Sequence, residues 1–180
     1  MPLKPWRRIS GSILFKNPWW TYRKDDCELP SGKGGEYHFV HTEGSSMIIP
    51  VTANGEFLMV KQYRYLGGRE SIEFPCGSVK EGATHDATAW HELAEETGYS
   101  GGQLFLIGEF NPYNGVTDEM CRVYVARELQ FVGGRPDESE EFELIPAPAA
   151  TIDGWIRDGT IWDGMTIAAW HLAKTKGIAG

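Results

Sequence analysis

The 180-residue chain has little of what would mark it for export, for a membrane or for a disulfide-stapled fold. Its three cysteines, Cys27, Cys76 and Cys121, are an odd number and lie far apart without paired metal-ligand spacing. That excludes a disulfide framework and a zinc site defined by spacing, and it fits a reducing, cytoplasmic setting. Lys4, Arg7 and Arg8 make a basic start, but Lys16, Asn17 and Pro18 interrupt the chain before a long apolar run develops, so neither a signal peptide nor a membrane span is expected. Positive charge is scarce as well. Against 25 acidic residues stand 17 Lys and Arg, a formal net charge of -8, which repels phosphate backbones at long range and argues against a nucleic-acid partner. A small anionic ligand stays compatible if metal ions supply positive charge locally.

A chain of this length buries a core of its own and reads as one domain, or one domain with a small N-terminal appendage. Short strand-like pieces at Arg8 to Phe15, Trp20 to Arg23 and Glu36 to His41, parted by Asn17-Pro18 and a turn-rich stretch from Pro30 to Gly35, suggest an antiparallel appendage over residues 1–45. The main domain is then 46–180. Ser46 to Val51 and Phe57 to Tyr65 flank Ala53-Asn54-Gly55, a strong hairpin signal. Ser71 to Phe74 reads as a strand, Gly77 to Gly82 as a loop, and Thr84 to Thr97 as a helix stopped by Gly98. Strands are expected at Leu104 to Phe110, Arg122 to Leu129 and Phe142 to Ile145, with an acidic loop from Asp137 to Glu141 and helices in Thr151 to Arg157 and Thr166 to Lys174. The class is α/β or α+β.

Glu92, Glu95 and Glu96 stand three and four apart on the Thr84 to Thr97 helix, so their carboxylates share one face. Like charges there repel by a few tenths of a kcal/mol per pair, near the helix end where the macrodipole also disfavours anions. Hard divalent cations would compensate, since they prefer oxygen ligands and bridge carboxylates to substrate phosphates. The plainer alternative is a solvated acidic face.

Gly77, five residues, Ala83, seven residues, and His91-Glu92-Leu93-Ala94-Glu95-Glu96-Thr97-Gly98-Tyr99 together resemble a Nudix box. Gly77, Glu92, Leu93, Glu95, Glu96 and Gly98 match the family pattern. Ala83 stands where the family has its first Glu, and His91 where it has Arg; in the family these two side chains pair and brace the helix. Both partners are absent together, so no uncompensated buried charge need be left, and His91 could still hydrogen-bond the loop. Val60 to Tyr65, Ile72 to Gly77, Asn114 to Glu119 and Gly159 to Asp163 are similar to the branch of ADP-ribose pyrophosphatases and nucleotide-sugar hydrolases. The resemblance implies an α/β/α sandwich around a mixed sheet, with the N-terminal β appendage exchanged across a homodimer.

It also implies roles. Glu92 and Glu96 would be the main metal ligands, Glu95 a ligand or water-holder, and the backbone carbonyl of Cys76 would complete the shell around Mg2+ or Mn2+. Arg64 matches a diphosphate contact, its planar fork suiting two phosphate oxygens, with a surface ion pair as the other reading. Glu73 and Glu119 would contact substrate. The general base would be an acidic-loop residue, Glu140 before Glu138. A purine could stack on Trp20, whose other reading is packing within the appendage. Trp90, Trp155, Trp162 and Trp170 read as core residues, and no two of the five histidines show ligand spacing. The function that follows is metal-dependent hydrolysis of ADP-ribose or a related nucleoside diphosphate sugar. The alternative is a Nudix-like sensor that lost turnover with Ala83 and His91.

Overall fold

A computed structural model describes residues 2–133 and 141–179. Three antiparallel strands come first, β1 (Arg7–Lys16), β2 (Thr21–Glu28) and β3 (Gly34–His41), in that spatial order. The β1–β2 turn is closed by Asn17, whose Oδ1 accepts from the backbone N–H groups of Trp19 (2.9 Å) and Trp20 (2.8 Å), the local bonding that makes Asn a turn former. β2 runs on past Arg23 to Glu28. Its charged residues are paired across the sheet, Asp25 with Arg8 at 2.8 Å and Lys24 with Glu36 at 3.0 Å, so a polar stretch is held as strand.

The main domain follows as β4 (Ser45–Pro50), β5 (Phe57–Arg64), β6 (Arg69–Glu73), β7 (Cys76–Ser78), α1 (His85–Thr97), β8 (Tyr99–Ser100), β9 (Gln103–Phe110), β10 (Cys121–Arg127), β11 (Gln130–Phe131), β12 (Glu143–Ala147), α2 (Ala149–Asp158) and α3 (Gly164–Thr175). A mixed sheet has the order β7-β4-β10-β9, with β4 and β10 parallel, and an antiparallel sheet has the order β12-β5-β6. β8 and β11 make a short pair of their own.

The turn at Ala53-Asn54-Gly55 forms, with Gly55 at φ 81° and its N–H donating to the Thr52 carbonyl (3.0 Å). Its flanking strands do not make the expected hairpin. Beyond one bridge between Val51 and Phe57, β4 pairs with β7 and β10 while β5 pairs with β6 and β12. Every residue of β4 is buried. A strand hidden on both faces is drawn to the middle of a sheet, and turn chemistry sets where the chain reverses without choosing the partner.

Alternation along β4 and β10 divides the core. Met47, Ile49, Val123 and Val125 pack in one cluster with Ile152, Ile161 and Trp170, whereas Ile48, Tyr124 and Ala126 pack against Ala89 and Leu93 of α1. The result is a mixed sheet between helical layers, an α/β/α sandwich with antiparallel strands at its N-terminus. Trp170 is buried, and Trp90 and Trp155 pack partly buried against the two clusters. Trp162 departs from the core role expected of it. It covers the β5–β6 turn, where its Nε1 donates to the Glu70 carbonyl (3.0 Å) and the Arg69 guanidinium lies 4.2 Å from its ring centroid.

Candidate active site

α1 is held at both ends by local chemistry. Thr84 Oγ1 accepts the N–H of Ala87 (3.2 Å), and Gly98 ends the helix in the left-handed region at φ 73°. Asp86 in the first turn accepts a 2.6 Å bond from the buried Tyr124 hydroxyl, while Ala89 and Leu93 insert against the sheet. The helix is thereby clamped in rotation, and the position of its glutamates is set by the packing on its other face.

Glu92 lies directly over Gly77 in β7. A Cβ at residue 77 would stand 2.0 Å from the Glu92 carboxyl carbon and from its Oε1, so the strand backbone and the carboxylate occupy space that only glycine leaves open. His91 Nδ1 is 3.0 Å from Glu95 Oε2, one turn further along. Ligand atoms of His91, Glu92 and Glu95 all lie within 4.8 Å of one another. His91 thus pairs along its own helix rather than with the loop. Ala83 and His91 share, with Lys80, Thr88 and Glu92, the wall of a cavity of about 210 Å³. That cavity adjoins the two positions at which the family's brace is missing.

Arg64, near the end of β5, grips Glu73 at the end of β6: Nε donates to Oε1 at 2.8 Å and a second guanidinium nitrogen to Oε2. Glu73 is only 3% exposed. Its hydrogen bond chiefly raises the Arg64 pKa, burial works against that, and the charges of Asp163 and Glu96 add to the rise. The structure therefore joins the two residues expected as separate substrate contacts into one buried-to-surface ion pair, within electrostatic reach of Glu96.

Cys76 opens β7, opposite Met47 of β4. Its thiol is pushed well up by a hydrogen bond with Cys121 and by burial, with the charges of Glu96 and Glu119 adding to the rise. By the resemblance it is the backbone carbonyl, and not the thiol, that this residue would offer a cation. Glu119 accepts a 2.6 Å bond from Ser45 Oγ at the start of β4.

The segment leading to Glu119 is tied to the appendage by contacts that sequence reasoning missed. Tyr37 donates to the Gly115 carbonyl (3.1 Å), Val40 N–H to the Val116 carbonyl (2.9 Å), and His41 Nδ1 lies 2.8 Å from Asp118 Oδ2. These pairs are more than 70 positions apart, and no local signal marks them. Trp20 sits at the β1–β2 turn with Phe15 as its ring partner, centroids 5.6 Å apart. Glu138 and Glu140 lie outside the described residues.

Among the described residues, His91, Glu92 and Glu95 have ligand atoms close together, Glu92 lies against Gly77 next to Cys76, and Glu96 acts electrostatically on both Cys76 and Arg64. Carboxylates and a carbonyl are donors of the kind a hard divalent cation takes, and a guanidinium is suited to phosphate oxygens.

Comparison with known proteins adds independent findings. A family model described as "NUDIX domain" matches residues 42–161, and another, "Nucleoside diphosphate sugar hydrolase N-terminal domain", matches residues 6–40. The chain is 34% identical to an ADP-ribose pyrophosphatase of Bacillus subtilis (strain 168) over 154 residues, covering 84% of this chain and 83% of the relative. It is 32% identical to a methanol dehydrogenase activator of Bacillus methanolicus, covering 91% and 89% of the two chains. A crystal structure of an ADP compounds hydrolase superposes with a TM-score of 0.83 over 99% of both chains at 18% identity, a likeness of fold.

Proposed function

Because the chain belongs to the Nudix family and is one of its pyrophosphohydrolases, we propose that it hydrolyses the diphosphate bond of ADP-ribose or a related nucleoside diphosphate sugar. The products would be a nucleoside monophosphate and a sugar or ribose phosphate. The observation that carries this reading is the seating of Glu92 on Gly77, on the helix face that also bears Glu95 and Glu96, beside Arg64.

Glu92 and Glu96, with the Cys76 carbonyl, would hold Mg2+ or Mn2+. A cation held there would supply charge neutralisation at the diphosphate and a water of lowered pKa. Glu95 would be a further ligand of the cation or would hold that water. Arg64, steadied by Glu73, would present its fork to the diphosphate oxygens, and Glu119 would contact the terminal ribose or sugar. Glu140, or else Glu138, removes the proton from the attacking water. Trp20 stacks on the base.

A homodimer that exchanges the appendage, residues 1–45, against the main domain 46–180 belongs to the same reading. Supporting it, all ten residues of β1 are exposed, with Ile9, Ile13, Leu14 and Phe15 among them, an apolar edge that a second copy would cover. The cytoplasm is the proposed location, where three free thiols stay reduced.

One assay separates this reading from that of a sensor, which the open space at Ala83 and His91 favours. Phosphate release through a coupled phosphatase is measured for ADP-ribose, nucleotide sugars and nucleoside triphosphates with each metal, in wild type, Glu96→Gln, Glu140→Gln and Glu138→Gln. Metal-dependent turnover that Glu96→Gln abolishes supports the enzyme. Binding without turnover across the whole panel supports the sensor.

A further inference from the structure

We infer that His91 is a nitrogen ligand to the cation of this site, so that the centre takes Zn2+, Co2+ or Ni2+ in preference to Mg2+. The inference rests on the metal reading above and deepens it. At the matching position the resemblance places Arg, which carries no lone pair to offer a metal and would repel one. His91 reverses both properties when its ring is neutral.

The geometry agrees. His91 and Glu95 are four apart on α1, the spacing by which one helix face presents two ligands to a single ion. Their Nδ1 and Oε2 atoms are 3.0 Å apart. Ligands about 2.1 Å from one ion stand about 3.0 Å apart in octahedral and about 3.4 Å apart in tetrahedral geometry, so the two atoms reach a shared ion of either kind with little movement. Glu92, the next residue along, keeps its ligand atom within 4.8 Å of both.

The surroundings permit it too. The His91 side chain is 64% exposed, so a cation reaches it from solvent, and the cavity of about 210 Å³ beside Ala83 gives the ring room to turn. A family Glu and Arg at residues 83 and 91 would close that route. An imidazole among carboxylates moves the preference of a site from hard ions toward borderline ones.

The test uses the full chain. Zn2+ and Mg2+ are titrated separately by calorimetry into wild type, His91→Gln, His91→Arg and Glu96→Gln, and histidine ring nitrogens are followed by 15N NMR. The His91 signals are assigned by their loss in His91→Gln. The inference expects Zn2+ affinity to fall at least tenfold in both His91 variants, with Mg2+ affinity in His91→Gln within about twofold of wild type. It also expects Zn2+, and not Mg2+, to shift the His91 ring nitrogens. Wild-type binding of both metals that Glu96→Gln weakens and His91→Gln leaves unchanged overturns the role of His91 alone. A wild type that binds neither metal overturns the metal reading with it. Melting curves of the variants confirm that they are folded.

Discussion

Replacing Gly77 by Ala is the sharpest probe of how this site is built. The added methyl would sit 2.0 Å from the Glu92 carboxyl carbon and Oε1, against an ordinary contact of 3.4 Å or more, so the carboxylate must retreat by about 1.4 Å. Gly77 is not among the positive-φ glycines, so alanine suits its backbone. What yields is the end of a flexible side chain, and the fold should tolerate the change: a melting temperature within about 3 °C of wild type is expected, which is about 1 kcal/mol at the roughly 2–4 °C that each kcal/mol moves a domain of this size. Activity is another matter. A displacement of about 1 Å in a positioned group costs on the order of 100-fold in rate, and Glu92 is proposed as a main ligand. Phosphate release at saturating substrate and a metal concentration that just saturates wild type should fall by about that factor, with partial recovery at higher metal concentration. Turnover within threefold of wild type would show that the Glu92 position over Gly77 is irrelevant to catalysis and would refute the reasoning.

Two other outcomes are expected. Arg64→Met leaves the 3%-exposed Glu73 without its cation; breaking a buried pair costs about 3–5 kcal/mol, and the solvent reach of Arg64 places this one at the lower end, a fall in melting temperature of roughly 6–12 °C. Arg64→Met with Glu73→Gln should recover part of that loss, and a single mutant that melts within 2 °C of wild type would count against the pair. Tyr124, pushed up to about 12 by burial and its bond to Asp86, resists ionisation in the folded state. Its contribution is complete below the ordinary tyrosine value near pH 10, and stability should decline as pH rises from 10 toward 12, because the unfolded chain ionises first. Tyr124→Phe should lower the melting temperature at pH 8 and flatten that alkaline decline; an unchanged decline would assign it to other groups.

Much of α1 was readable from its residues. Thr84 starts it and Gly98 stops it through bonds made within a turn, and the shared face of Glu92, Glu95 and Glu96 is a consequence of helical period. The turns at Asn17 and Asn54-Gly55 are likewise local, since Asn and Gly settle backbone direction with their immediate neighbours. The family pattern of the box, read on those few positions, carried the fold class.

Partner choice was not readable, because it depends on which surfaces are buried together. β4 and β5 flank a good turn yet join different sheets, since β4 is hidden along its whole length. Arg64 meets Glu73 although the β5–β6 register sets Arg69 opposite the one and Val60 opposite the other, and His41 meets Asp118 only once the appendage lies along the loop before β10. Short-range bonds and helical period decided the elements and the face that carries the chemistry; long-range burial decided what each of those elements touches, and with it the setting of every charged group in the site.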